Sequence, residues 1–300
     1  MISSQFNTTF IKEAMGAFTA ILLPITALSF ATSEQAASPG DVIKVPYATN
    51  MSSSGVFDYT NGYQGDSNSI GVKSVTLDNL VYQKFSLTDT DAAKLSSEAV
   101  TTLARQAGER LANDVISQSI ATTVTNTNFP TSASVTYGQL TSSLGFVELV
   151  TQADNAKWTQ DNRNLILTPD AWGSLLKNSD IAQAFSYGGS QVIQNALPEK
   201  VYGFNTFKTT VDLPNGCKGL VLNPNSILTA FGVHKPSDQG KRYVETQTAT
   251  DKQGITISMR TWYDPDLATT KYVLECLFGN EVGNSSKLLK KSHGNLNTSG

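Results

Sequence analysis

The sequence is poor in the residue types on which acid–base and metal chemistry usually depends. It has two histidines, His234 and His293, and two cysteines, Cys217 and Cys276, which are far apart and form no Cys-x-x-Cys pair. With so few imidazoles, acid–base chemistry would have to rest on carboxylates. We interpret both cysteines as small buried side chains rather than as a disulfide or a metal site.

Motifs of well-known catalytic sites are also missing. The chain contains no G-x-x-x-x-G-K-[ST] loop, no G-x-S-x-G elbow and no H-E-x-x-H helix. The best carboxylate pair is Asp264 and Asp266 on either side of Pro265, and a turn between two strands explains it without chemistry. We therefore expect no catalytic, cofactor-binding or metal site, and we predict that the protein is not an enzyme.

The chain also has little excess of charge of either sign. The 22 basic and 25 acidic residues leave a formal net charge of −3, which gives no general attraction to nucleic acid, so any DNA contact would be local. The 300 residues, 39 % of them hydrophobic, are enough to bury a core, which excludes a disordered or fibrous chain.

The longest apolar run, residues 17–30, is shorter than the roughly 20 residues that a membrane-spanning helix needs. One interpretation is the hydrophobic region of a secretory signal peptide. Against it, Lys12 is followed at once by Glu13, and Pro24 would kink the middle of the run. We favour an amphipathic arm that packs on a neighbouring molecule, and we expect no contact with a membrane.

Residues 41–87 read as a long two-stranded excursion. Residues 41–47 and 72–87 have the pattern of strands, and a segment rich in Ser, Asn, Gly, Asp and Tyr separates them. Such a hairpin cannot build a core of its own, so we expect it to rest on a neighbouring subunit. Its aromatic residues Phe57, Tyr59 and Tyr63 are candidates for that contact.

The clearest helix is predicted to begin after Thr88, Asp89 and Thr90, whose side chains can cap it, and to end at about Thr122. Its small residues would permit close approach to a sheet or another helix, and its charged face is interpreted as solvated; the residues are Arg105, Glu109, Arg110 and Asp114. A second helix is predicted over residues 137–154. Its apolar side is predicted to comprise Leu140, Leu144, Val147 and Val150.

A strand–cap–helix pattern then occurs twice and predicts a compact α/β subdomain over residues 166–239. The strand 164–167 precedes Thr168-Pro169-Asp170 and a helix, and the strand 219–222 precedes Asn223-Pro224-Asn225 and a short helix at 227–231. Strands follow at 243–248, 255–263 and 272–278, and the lysine-bearing tail from Ser285 is expected to be frayed and solvated.

Several strings, in this order, resemble the major capsid (coat) protein family of tailed bacteriophages, particularly the coat proteins of short-tailed phages. They are LPITALSF (23–30), VIKVP (42–46), LTPDAWGSLL (167–176), PEKVYGFNTFKTTVDLP (198–214), GLVLNPNSIL (219–228) and GITISMRTWYDPDLATTKYVLECLFGNEV (254–282). The long helix resembles the spine helix of that family. The family has the Johnson fold, which it shares with encapsulins.

The resemblance implies an α+β fold with an N-terminal arm, an extended β-loop, a peripheral domain with a long spine helix, and an axial domain. The implied boundaries are 1–40 for the arm, 41–87 for the extended loop, 88–165 and 240–284 for the peripheral domain, 166–239 for the axial domain and 285–300 for a flexible tail.

The implied function is self-assembly into pentamers and hexamers that form an icosahedral shell around phage DNA. The implied partners are further copies of the chain, a scaffolding protein, a portal and packaged double-stranded DNA, and the implied location is the virion, after assembly in the host cytoplasm. We expect the apolar side of the arm, Phe18, Leu22, Ile25 and Leu28, to be buried between subunits. Alternatives are an encapsulin-like bacterial compartment, a secreted β-rich surface protein and, last, a carboxylate-based hydrolase.

Overall fold

The structure is a computed structural model that describes most of the chain. The described residues are 4–33, 38–47, 57–62, 71–94, 96–124, 137–155, 158, 160–181, 200–213, 218–235, 245–283 and 293–296. Tyr63, Cys217 and most of the lysine-bearing tail lie outside them.

The described helices are α1 (Ser4–Ile21), α2 (Asp89–Lys94), α3 (Ser97–Val124), α4 (Ser143–Asn155) and α5 (Pro169–Leu176). Short 3₁₀ helices cover Leu23–Ala27, Tyr137–Thr141, Gln160–Asn162 and Pro224–Ser226. The apolar run at 17–30 is therefore divided: α1 ends before Pro24, and a 3₁₀ helix and a strand follow. Among the described residues, no helix is long and apolar enough to cross a membrane.

The described strands are β1 (Ser29–Ser33), β2 (Val42–Tyr47), β3 (Gly71–Thr76), β4 (Asn79–Thr88), β5 (Asn164–Leu167), β6 (Lys200–Val201), β7 (Phe204–Lys208), β8 (Gly219–Leu222), β9 (Ile227–Gly232), β10 (Glu245–Thr250), β11 (Thr256–Asp264), β12 (Thr269–Val282) and β13 (His293–Leu296).

The 14-residue strand β12 organises the first sheet. One edge of β12 pairs with β4, and the other edge pairs first with β11 and then, from Leu277 to Val282, with β9. Strand β1 lies parallel to β9 and β10 lies antiparallel to β11, so both extend the sheet beyond the same edge of β12, at different positions along it. Because β12 is long, it can pair with three neighbouring strands. Its pairing with β4 brings together residues almost 200 positions apart in sequence, such as Asn79 and Phe278.

Helices α1 and α3 cover this sheet and enclose the first core. The long helix buries Ala104, Ala107, Leu111, Val115 and Ile116, residues spaced by three, four and one, as the inward face of an α-helix requires. Its charged residues Arg105, Glu109, Arg110 and Asp114 are exposed, which confirms the predicted solvated face. Arg105 donates to Glu13 of α1 at 3.1 Å.

An aromatic cluster fixes α1 on the sheet. Phe10 stacks on Phe85 of β4 with ring centroids 5.0 Å apart, and Phe85 stacks on Tyr272 of β12 at 4.8 Å. Phe6 contacts the same tyrosine ring at 5.7 Å. The N-terminal segment is thus part of the core of its own chain, because its aromatic side chains fill the space between the long helix and the sheet.

Strands β2 and β3 form the base of the predicted excursion, and this base is docked on the first sheet. A hairpin core forms between them and the outer face of β9 and β12, and it comprises Ile43, Val45, Val75, Leu77, Leu228, Ala230 and Leu277. The backbone of Gly279 in β12 lies so close to the hairpin that an added Cβ would be 1.9 Å from the carbonyl oxygen of Thr76.

The second sheet has the order β13-β8-β5-β7-β6. It packs with α4 and α5 around a second core that includes Phe146, Leu149, Trp172, Leu175 and Phe204. Thr168 and Pro169 open α5 as the sequence predicts, with proline in the first turn. Helix α4 lies before the predicted boundary at residue 166, whereas β9, inside the range 166–239, belongs to the first sheet.

Several sequence predictions about these elements are wrong. The predicted long helix is divided into α2 and α3, and the predicted strand 72–87 into β3 and β4, of which β4 belongs to the first sheet. Residues 227–231 form strand β9 rather than a helix; both faces of β9 are buried, and a short apolar run does not distinguish the two structures. His293–Leu296 in the predicted flexible tail forms β13, which pairs with β8. Leu144 and Val147, predicted on the buried side of the second helix, are 77 % and 54 % exposed, because Phe146 and Leu149 supply the buried face.

Candidate assembly surfaces

The predicted interface residues of the arm lie inside the chain. Phe18, Leu22, Ile25 and Leu28 are at most 3 % exposed, and all four belong to the first core. The expectation that they are buried between subunits is therefore corrected: they are buried within their own chain. The physical reason is that α1 runs along α3, which turns the apolar side of the arm towards its own sheet. Among the described leucines and isoleucines of residues 17–30, Leu23 alone is exposed, at 58 %.

A compact turn at residues 57–62 displays the two described aromatic candidates of the excursion. Asp58 and Gly62 form an antiparallel bridge, and the Asp58 carboxylate accepts hydrogen bonds from the backbone N–H of Thr60 at 2.8 Å and the side chain of Asn61 at 2.7 Å. These donors stabilise the charged carboxylate and lower the pKa of Asp58 below its ordinary value. The turn therefore has local structure of its own.

The aromatic side chains of this turn are exposed. Tyr59 is 95 % exposed and Phe57 is 44 % exposed, and their rings meet edge to face with centroids 5.1 Å apart. Paired aromatic rings on a locally ordered turn are suited to fill a pocket on another molecule, since aromatic side chains contribute large contact areas at small entropic cost.

A second exposed apolar surface lies on α4, and the sequence pattern missed it. Leu144 and Val147 are one helical turn apart, so their exposed side chains share one face. Nearby, Tyr202 in the turn between β6 and β7 is 40 % exposed and stacks on Phe146 at 4.9 Å. The sequence does contain a signal for this surface, because α4 carries more apolar residues than one buried stripe needs.

His234, the buried Glu275 and Cys276 have structural surroundings. Glu275, 4 % exposed, accepts from Arg260 at 2.5 Å and from Ser258 at 3.2 Å, and His234 lies beside the pair, with its Nδ1 2.8 Å from the guanidinium. Burial raises the pKa of the Cys276 thiol to about 12, so this side chain is not a thiolate nucleophile at neutral pH.

The carboxylate pair around Pro265 is part of a turn, as predicted. Asp264 ends β11, and the ammonium of Lys271 on β12 donates to its carboxylate and lowers the pKa of that carboxyl. Within the described part of the chain, no group of three or more His, Cys, Asp and Glu side chains could hold a metal ion. An open groove between α1 and β10 is lined by residues such as Thr8, Ile11 and Gln247, and Lys12 is the charged residue among its described lining residues.

The sequence matches no protein-family model and no curated protein. The fold does match solved structures. A virus-like particle from Pyrococcus furiosus aligns with a TM-score of 0.55 at 12 % identity, over 97 % of this chain and 98 % of that chain. The capsid structure of the cyanophage P-SCSP1u aligns with 0.53 at 14 % identity over 90 % and 85 %, and a structure from Gordonia phage Cozz with 0.53 at 12 % over 92 % and 85 %.

The chain therefore has an α+β fold of the phage major capsid type, the Johnson fold, and the resemblance seen in the sequence is confirmed for the fold. The alignments cover almost the whole length of both chains, so the likeness concerns the complete subunit rather than one shared motif.

Proposed function

We propose that this chain is a major capsid protein, a subunit that assembles with copies of itself into a closed shell. The observation that carries the proposal is the full-length match of its fold to a capsid structure and to a virus-like particle. An encapsulin-like compartment, which would share the fold, is not better supported by these comparisons. In this function the chain acts through its surfaces, and it is not an enzyme.

In the proposed subunit, the first sheet with α3 forms the peripheral domain, and the second sheet with α4 and α5 forms the main part of the axial domain. The chain would form pentamers and hexamers of an icosahedral shell. The proposed contacts between copies include the turn with Phe57 and Tyr59 and the α4 face with Leu144 and Val147, since these apolar side chains are exposed in the single chain. Tyr63 remains a candidate from the sequence.

The further partners are also part of the proposal. A scaffolding protein and a portal would take part in assembly in the host cytoplasm, and the finished virion would enclose double-stranded DNA. With a net charge of −3, the subunit would hold DNA without sequence specificity and mainly by enclosure.

The first test is negative-stain electron microscopy of the full chain, expressed alone and fractionated by size exclusion. We expect closed shells, tubes or ring-shaped capsomers in the large fractions. A protein that stays monomeric over a wide range of concentration and salt, and also when it is produced with the other assembly proteins of its source, would contradict the proposal.

A further inference from the structure

Lys73 makes an unusual set of contacts at the base of the hairpin. Its ammonium lies 3.3 Å from Oε1 of Glu281, donates at 3.1 Å to the carbonyl oxygen of Gly283, and donates to the carbonyl oxygen of Val282. An ammonium has three donors, and here three acceptors come from three consecutive residues. Hydrogen bonds from a charged donor are stronger than neutral ones, and this side chain is only 30 % exposed.

The segment that Lys73 binds lies at the junction of the two sheets. Strand β12 ends at Val282, and the N–H of Gly283 donates to the carbonyl oxygen of Ser226 at 2.9 Å. Ser226 belongs to the 3₁₀ turn between β8 of the second sheet and β9 of the first. The Gly283 peptide is therefore held from two sides, by the hairpin and by the connection between the sheets.

The other contacts of the hairpin base are mainly apolar and therefore less directional. Side chains such as Ile43 and Val75, and the close contact of Thr76 with Gly279, hold the hairpin against β9 and β12, but these contacts are less directional than charged hydrogen bonds. The bonds of Lys73 have defined directions. Lys73 lies opposite Val45, beyond the middle of the paired strands, so its bonds hold the outward half of the pair. Strands of six residues are about 20 Å long, so a rotation of about 10° about their Val42–Thr76 end would move the outward end by about 3 Å.

We propose that Lys73 is a positioning residue that sets the angle of the hairpin against the junction of the two sheets. The part of this inference that concerns the shell rests on the proposed function. In a shell, the hairpin angle determines how a subunit contacts its neighbour, and therefore the curvature of the shell. The local part of the inference concerns the single chain and holds whether or not shells form.

Hydrogen exchange measured by mass spectrometry tests the local part on the full, unassembled chain. In Lys73→Met, we expect amides of β2, β3 and Gly283 to exchange about ten- to a hundredfold faster, because charged hydrogen bonds are lost. Amides of α3 and β11 should not change. The matched control is Lys44→Met, which alters an exposed lysine on β2 of the same hairpin and should leave the exchange pattern of the wild type.

Unchanged exchange in Lys73→Met, or the same acceleration throughout the chain, would overturn the inference. The shell part is tested by measuring particle diameters by electron microscopy. We expect Lys73→Met to shift or broaden the diameter distribution relative to the wild type and Lys44→Met, and identical distributions would overturn the role in curvature. If the wild type forms no shells even with the other assembly proteins of its source, the proposed function fails, and the exchange comparison alone decides the role of Lys73.

Discussion

Gly108 lies where the long helix and the N-terminal helix are in close contact. A Cβ added there would lie 2.1 Å from the carbonyl oxygen of Ala14, and a backbone atom cannot move aside as a side-chain end can. Gly16 on α1 is different, because nothing lies within 4 Å of its added Cβ. An alanine substitution at Gly108 therefore tests the close contact between the helices, whereas the same substitution at Gly16 tests helix propensity alone.

We predict that Gly108→Ala lowers the free energy of unfolding by about 1–3 kcal/mol or more, because the two helices must move apart. Gly16→Ala should raise it by about 0.5–1 kcal/mol, since alanine is the better helix former in open space. Chemical denaturation of both variants gives the comparison. Equal effects of the two substitutions would show that close helix contact at Gly108 does not limit stability.

Tyr272 is a second residue with a measurable consequence. Its ring is fully buried, its hydroxyl has no hydrogen-bond partner among the described residues, and burial, with the charge of Glu245, raises its pKa to about 12. Because the folded chain disfavours the phenolate, the corresponding stability is present below pH 10 and is lost as the pH rises through the folded pKa. The pKa of the buried Cys276 thiol is also raised, and its contribution to stability begins to be lost at a lower pH than that of Tyr272.

We predict that Tyr272→Phe keeps or raises stability at pH 7, by up to about 1 kcal/mol, because it removes a buried unpaired hydroxyl. It should also reduce the loss of melting temperature between about pH 10 and pH 12, where the phenol of the unfolded chain ionises and the buried phenol does not. Thermal melting over this range measures both effects. Tyr82→Phe, which changes a 61 % exposed tyrosine, is the control and should leave the alkaline profile unchanged. A steeper alkaline loss in Tyr272→Phe would contradict this account.

At the scale of elements, α1 is structural, and the arm interpretation must change accordingly. The sequence-based expectation is that a chain without residues 1–37 stays soluble and only fails to assemble. Yet α1 contributes Phe10, Ile11, Ala14 and Phe18 to the first core. Removing them would expose the face of α3 and the sheet that they cover, so we expect the truncated chain to lose cooperative folding.

The corresponding point variants give a finer test. Phe10→Ala should lower the free energy of unfolding by about 3–5 kcal/mol, because a fully buried aromatic ring is replaced by a cavity. Leu23→Ala, at a 58 % exposed position just after α1, should change it by no more than about 0.5 kcal/mol. Denaturation curves of the unassembled chain measure both. A small effect of Phe10→Ala would restore the interpretation of α1 as a loosely attached arm.

For the molecule as a whole, the single chain and the assembly depend on different residues. Side chains of the turn at 57–62 contribute little to the first or second core, yet the aromatic pair Phe57 and Tyr59 is exposed on it. Assembly can therefore be weakened at this turn without unfolding the subunit.

We predict that the double variant Phe57→Ala/Tyr59→Ala changes the free energy of unfolding by less than about 1 kcal/mol. Its critical concentration for shell formation should rise about tenfold or more, as expected when an aromatic anchor is removed from an interface. Light scattering against concentration measures assembly. Tyr82→Ala, at an exposed tyrosine outside the turn, is the control. An equal loss in both variants would show that the turn has no special role.

The sequence by itself determined the elements whose pattern is local. The body of the long helix, the start of α5 at Pro169 and the turn at Pro265 depend on neighbouring residues along the chain, so local pattern predicts them. The predicted cap at Thr88 opens the short α2, and the long helix begins only at Ser97. The order of several conspicuous strings also sufficed to predict the fold. In the long helix, Ala99 is exposed whereas Ala107 is buried, because the buried face follows the contact with α1.

Only the tertiary structure decided which apolar faces are buried and against what. Helix α4 has two apolar stripes, and contact with the second core selects Phe146 and Leu149 and leaves Leu144 outside. Strand β9 is apolar on both faces because the hairpin covers one and the first core the other. The arm faces inward for the same reason. Burial depends on partners distant in sequence, and hydrophobic patterning states that a face needs covering but not what covers it.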